Sequence, residues 1–205
     1  ALTGGASTLQ ENGSVIVSVG GHVLVTGNDA MEIKTELEPV SRQYQIVWAD
    51  GQSFQATSGE LKGLLNVRDE LIPRLQQGLD EMAATLAGRV NAVHASGYGM
   101  DNTTGLNFFT GAGALDLRLN AELTAVNLAV ASNPDEPGNG LIAAQIADLQ
   151  SEAMMASGTQ TLAAFYNNQV TQLGFWVQNA KDRSYHNGLV AQALSEQRES
   201  VAGVN

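Results

Sequence analysis

Two stretches, residues 58–96 and about 159–201, place apolar side chains at helical spacing for far longer than an ordinary globular helix. In the first, Leu65, Ile72, Leu79, Leu86 and Val93 recur every seven residues, and Leu61, Leu75, Met82 and Val90 fill the same face. A stripe of this width has to be covered by another helix. Uninterrupted, the first stretch would run about 55 to 60 Å at about 1.5 Å per residue, which suits a rod-like subunit built to assemble. In the second, Leu162, Tyr166, Val170, Leu173, Val177 and Ala180 mark one face, which Leu189, Val190, Ala193, Leu194 and Val201 extend.

The chain around these stripes belongs to a folded protein: 205 residues with 43% hydrophobic and 15% charged content can fill a substantial core. A net charge of -11 repels nucleic acid and anionic membrane surfaces, so neither is an expected partner. With no cysteine, disulfides, zinc-thiolate sites and thiol nucleophiles are excluded together. There is no apolar run of the roughly 18 residues needed to span a bilayer, and the opening ALTGGASTLQ has neither a charged leader nor an apolar signal segment. The start without methionine suggests an excised fragment.

Before the first stripe the period is two. SVIVSV at 14–19 and HVLVT at 22–26 read as strands joined by Gly20-Gly21, a pair that tolerates the positive φ of a tight hairpin. Met31, Ile33 and Leu37, then Tyr44, Ile46 and Trp48, continue the alternation to a turn at Asp50-Gly51, which leads into a further strand at Ser53 to Thr57. Ser58 is placed to cap the first long helix with its side-chain oxygen, and Glu60 suits the helix dipole. Pro73 lacks an N–H and its ring crowds the preceding turn, so Arg68 to Ile72 should hold a kink or a break. Residues 97–107 read as a loop, with Phe108 and Phe109 pinning it to the core. Residues 132–140, SNPDEPGNG, form a connector, followed by a short helix from Leu141 to about Leu149. Ser157-Gly158-Thr159 signals the second long helix, within which Gly174 and Gly188 each cost about 1 kcal/mol against alanine and leave its continuity open. The expected fold is α+β: an elongated bundle of long antiparallel helices with a small antiparallel β part at the N-terminal end. The expected division is a β-hairpin subdomain at 1–57 and a helical body at 58–205, the helices connected through 97–158.

Reactive chemistry finds little support. His22, His94 and His186 have no metal-ligand spacing and read as half-buried or surface rings. Asp101, Asn102 and Gly105 resemble a calcium loop only superficially, because the alternating carboxylates and the closing glutamate are absent; turn chemistry explains them. Arg68-Asp69-Glu70 and Asp80-Glu81 read as the solvated face of an amphipathic helix. No GxSxG elbow is present, and Gly20-Gly21-His22 is a turn, not a phosphate loop. Phe165, Tyr166, Phe175 and Trp176 cover more than one side of the second helix, so core packing and an exposed contact surface are both open to them. No catalytic residue, cofactor or metal site is expected. The rival readings are a cell-surface hydrolase using carboxylates such as Asp50 and Glu60, and an adhesin-like binding module gripping a partner through the β part.

The segment from Gly59 to Phe109 resembles the flagellar hook-associated protein 1 family, the first junction proteins between bacterial hook and filament. The residues in agreement are the Gly-x-Leu-x-Gly-Leu-Leu opening at Gly59 to Leu65, Arg68-Asp69, Pro73, Asn91, His94, Gly97 and Phe108-Phe109. The chain end RESVAGVN is similar to the stretch before that family's C-terminal helix, and the hairpin around SVIVSVGGHVLVTG resembles its strand region; Thr110 to Gly140 is the weakest part. The resemblance implies a non-enzymatic, exported, extracellular subunit of the flagellum, an adaptor between hook and filament. Its implied partners are like subunits in a ring, the hook protein and the next junction protein, with an export chaperone acting through a C-terminal segment. The family's terminal polymerising helices are missing here, so this slim version is expected to be the outer body of the subunit, monomeric by itself. The matched positions are packing, capping and turn residues.

Overall fold

The computed structural model describes residues 3–136 and 138–202. Pro137 of the expected connector and Gly203 to Asn205 of the family-like chain end lie outside the described residues. The fold is α+β, and the chain divides into two compact units, 1–74 and 75–205.

The first unit carries two antiparallel sheets. One has the order β1 (Ala6–Leu9), β2 (Val15–Val19), β3 (His22–Thr26), β4 (Asp29–Ala30); the other pairs β5 (Ile33–Leu37) with β6 (Tyr44–Trp48). Gly20 and Gly21 sit at φ 58° and 86°, so the β2–β3 hairpin turns as the diglycine requires. A side chain at Gly20 would run into the Gln55 carbonyl oxygen. After the turn at Gly51 (φ 83°) only Ser53 bridges back, to Val47. The strand expected at Ser53 to Thr57 is therefore not formed. Phe54, whose N–H still donates to the Ile46 carbonyl at 2.9 Å, and Ala56 enter a core with Val19 and Trp48, against which Leu24, Ile46, Leu61 and Leu65 pack. Burial of those two side chains outweighs a few ladder hydrogen bonds.

Leu61 and Leu65 belong to α1 (Gly59–Asn66), which is why the first compact unit extends beyond the change from strand to helix at residue 57. Ser58 has extended N-cap backbone, yet its hydroxyl makes no capping bond and instead faces Gly4. Helical backbone continues through a π segment at Val67–Leu71 into α2 (Ile72–Ala95). The disturbance expected ahead of Pro73 is thus a π turn within an unbroken helix. The wider turn spares the proline ring its clash with the carbonyl four residues back.

In the second unit the buried residues of α2 are Gly78, Ala83, Ala87, Val90 and His94. The predicted stripe is only partly followed: Leu75, Met82, Leu86 and Val93 are half-buried, whereas Leu79 is exposed, as is Ile72 at the start of α2. The Gln169 side-chain amide lies directly over Gly78, where a Cβ would meet it. Gln169 belongs to α4 (Leu162–Ala202), which is unbroken at Gly174 and Gly188. Its capping residue is Thr161, whose Oγ1 accepts from the Ala164 N–H at 3.1 Å, and not the earlier Ser157 or Thr159. Ala156, Ser157 and Gly158 instead form a left-handed turn at φ 50°, 58° and 83°.

The half-buried face of α4 is Leu162, Phe165, Gln169, Leu173, Trp176 and Asn179. Tyr166, Val170, Val177 and Ala180, expected on that face, are exposed, and so is every residue from 181 to 201. Of the mutual covering of two long stripes expected from the sequence, the contact seen is Gln169 over Gly78, and α4 has no covered side chain from residue 181 to 201. Between the long helices lie the hairpin β7 (Phe109–Thr110) to β8 (Arg118–Leu119) and α3 (Leu141–Asp148).

Candidate functional site

Polar residues on a helix face that is otherwise small and apolar must be paired to be stable there. Asn91 and His94, three apart near the end of α2, meet this condition through the same loop. The Asn91 side chain donates from Nδ2 to the Phe109 carbonyl at 3.0 Å and accepts the Phe109 N–H through Oδ1 at 2.7 Å, copying the pairing of a β-strand neighbour. His94 is 1% exposed. Its Nε2 accepts the Ala129 N–H at 3.1 Å, which leaves the proton on Nδ1 for donation to the Leu106 carbonyl at 2.7 Å. Phe108 meets the imidazole edge-on at 5.4 Å, and Phe109 meets Phe108 edge-on at 4.8 Å.

Three glycine and loop contacts complete the junction. A Cβ at Gly97 would fall 2.7 Å from the Ile142 side chain, and one at Gly99 would fall 2.7 Å from the Asn127 backbone. The Tyr98 N–H donates to the Ala131 carbonyl at 2.9 Å. The Asp80 carboxylate accepts the Ala114 N–H at 2.8 Å and so holds the 110–120 loop to α2, while Asp116 accepts from Ala112 and Gly113. Those backbone donors, Gly113 before Ala112, hold the Asp116 carboxyl below its ordinary range. Arg89 pairs with Glu152 after α3.

The first unit has a comparable clamp. Arg68 grips Asp69 through Nε at 2.6 Å and Nη2 at 3.0 Å, and its Nη1 donates to the Tyr44 carbonyl at 2.7 Å. The guanidinium hydrogen bonds keep Asp69 below the usual carboxylate range against the opposing effect of desolvation. This pair forms part of the wall of a cleft of about 480 Å³, with Gln43, Gln45, Phe54 and Lys62. Asp50 and Glu60, the carboxylates of the hydrolase reading, line no part of it; Asp50 accepts from Gln52 in its own turn and Glu60 is exposed on α1.

The other sequence candidates are used locally. His22 stacks on Trp48 at 5.2 Å, and His186 lies beside Tyr185 on exposed α4. Asp101 accepts the Thr103 N–H, and Asn102 exchanges two hydrogen bonds with Asp135. Among the described residues no group of three or more histidines and carboxylates is arranged to hold a metal ion. Of the aromatic set, Phe165 and Trp176 are half-buried while Tyr166 and Phe175 are exposed. What the spacing alone could not reveal was that Asn91, His94 and Phe108-Phe109 converge. The available signal was two polar residues at i and i+3 on one apolar face.

The family model of the flagellar hook-associated protein FlgK helical domain matches residues 1–109 and so ends at the second phenylalanine of this junction. No curated protein matches the chain significantly.

Proposed function

This chain belongs to the flagellar hook-associated protein FlgK family, and on that premise we propose that it serves as a non-enzymatic adaptor at the junction between hook and filament. It is a hook-associated, structural component of bacterial motility. The observation that carries this proposal is the use made of the family-like positions: Arg68-Asp69, Asn91, His94 and Phe108-Phe109 tie helix to strand or loop, and Gly97 leaves room for the Ile142 side chain. Residues so engaged build a rigid surface and are not free for turnover, and no residue is assigned to catalysis, cofactor or metal binding. We take α2 and α4 as antiparallel neighbours of an elongated bundle. Like subunits in a ring, the hook protein and the next junction protein are the partners this role requires, with an export chaperone acting before assembly outside the cell.

The division of labour between a β part at 1–57 and a helical body at 58–205 belongs to the same proposal. The decisive experiment is electron microscopy of flagella from cells lacking the protein. Bare hooks with shed filament protein are the expected result; normal filaments attached to hooks would sink the reading. The isolated 205-residue chain is expected to sediment as a monomer, and a stable oligomer would contradict that part.

A further inference from the structure

The sequence holds three Asn-Gly pairs, at 12–13, 139–140 and 187–188. A glycine after asparagine leaves the next backbone nitrogen unhindered, so the side-chain amide is open to attack by it. The fold treats the three pairs differently. Asn187 lies within α4, where helical backbone points its side chain back toward the N-terminal end, away from the Gly188 nitrogen. Asn139 is half-buried, and its Nδ2 is committed to the Ser132 Oγ at 3.0 Å and to the Glu136 carboxylate at 2.7 Å. Asn12 and Gly13 are both exposed, in the turn between β1 and β2. Here the Asn12 Oδ1 accepts twice from Ser14, from its N–H at 3.0 Å and from its hydroxyl at 2.7 Å. The first bond folds the side chain over its own following peptide, and both draw electrons from the amide carbon. The Gly13 N–H donates to the Gln10 carbonyl at 2.9 Å, closing a turn whose residues 11–13 are all exposed, so that bond opens against little packing.

We propose that Asn12 is a site of spontaneous covalent modification, at which its side-chain amide becomes a carboxylate through a cyclic imide formed with Gly13. The Gly13 nitrogen gives up its proton to water or hydroxide and bonds to the Asn12 Cγ. Negative charge gathers on Oδ1, where the Ser14 N–H and hydroxyl stabilise it. The bond from Cγ to Nδ2 then breaks, and the nitrogen takes up a proton and leaves as ammonia. Water opens the imide at either carbonyl, giving aspartate or its β-linked isomer. Both products add a negative charge to the turn. The β-linked isomer also lengthens the backbone between Gln10 and Ser14, whose hydrogen bond at 2.8 Å closes the hairpin. Because β1 is an edge strand paired with β2 alone, that product loosens it. The site rests on this turn alone and stands or falls separately from the role in the flagellum.

The test is peptide mapping by mass spectrometry on the folded chain, kept warm at mildly alkaline pH and sampled over time. Asn12 is expected to convert first, as aspartyl and β-linked peptides that elute separately, with Asn139 and Asn187 lagging behind. Ser14→Ala removes the hydroxyl donor and keeps the N–H, so it should slow conversion at Asn12 about fivefold, the worth of one ordinary hydrogen bond. Gly13→Ala, whose methyl group meets no neighbour but crowds the attacking nitrogen, should slow it as well. Earlier conversion at Asn139 or Asn187, or a rate at Asn12 that Ser14→Ala leaves unchanged, overturns the proposal. Should that variant disturb the hairpin, the order of conversion among the three sites of the parent chain decides.

Discussion

At the scale of single residues, most of the specificity lies in buried polar groups that are paired twice. His94 satisfies two loop groups, the Leu106 carbonyl and the Ala129 N–H, from one ring. His94→Leu should therefore cost about 2 to 4 kcal/mol in denaturant unfolding, because both backbone groups would be left buried and unpaired. Trp48 presents the opposite case: its Nε1 is buried without a hydrogen-bond partner. Trp48→Phe removes that unpaired donor and should cost less than about 1.5 kcal/mol, whereas Trp48→Ala, which empties the core beside Phe54, should cost about 3 to 5 kcal/mol. Equal losses in the two variants would show that the indole N–H contributes to stability. Gly99→Ala drives a methyl group against the Asn127 backbone, which cannot yield as a side chain can, and a fall in melting temperature is expected.

The lowered carboxylates belong to this scale too. Asp116 is stabilised as an anion by Gly113 and Ala112, and Asp69 by Arg68. A folded-state pKa below the unfolded value of about 4 means that this contribution is present in full above that pH. It is lost as pH falls through the lowered folded value. Urea titrations at falling pH should show stability declining below about pH 4, with a shallower decline in Asp116→Asn. All these groups are largely exposed, so the effect is small and weakens further in salt.

At the scale of elements, α4 is two helices in one. Its first half has a half-buried face, from Leu162 to Asn179, while residues 181 to 201 expose every side chain. A helix whose side chains pack on nothing relies on local propensity and frays readily. Limited trypsin digestion should therefore cut first at Lys181, Arg183 or Arg198, leaving a core that ends near residue 180 and keeps the Asn91 and His94 junction. Early cleavage at Arg89 instead would contradict this order. The difference between predicted and observed faces of α4 has the same root. Aromatic and aliphatic residues occur all round this helix, so apolar character alone does not select a side; Gln169, a polar residue, became part of the covered face because Gly78 opposite leaves room for its amide.

At the scale of the whole molecule, a structural subunit is judged by assembly and not by turnover. If clamps such as Asn91 to Phe109 serve rigidity, Asn91→Ala should lower stability by about 1 to 2 kcal/mol and reduce motility in proportion to the folded subunit that remains. Swimming lost while stability stays unchanged would point instead to a direct partner contact at that position. Within the chain, the strands up to residue 48, the glycine turns and the extents of the two long helices were legible, since each depends on residues close in sequence. The π turn was half legible, because Pro73 announces a disturbance but not whether the helix breaks or absorbs it.

What the sequence determined by itself is the hairpin strands and the two long helices, because backbone preference and apolar period are local properties, although the stripe of 162–202 is not gathered beyond Asn179. Only the tertiary structure decided which side of each helix is covered and what the polar residues on it do. Those outcomes turn on contacts between distant segments, Gly78 with Gln169, Asn91 with Phe109, His94 with Ala129, whose spacing along the chain carries no signal.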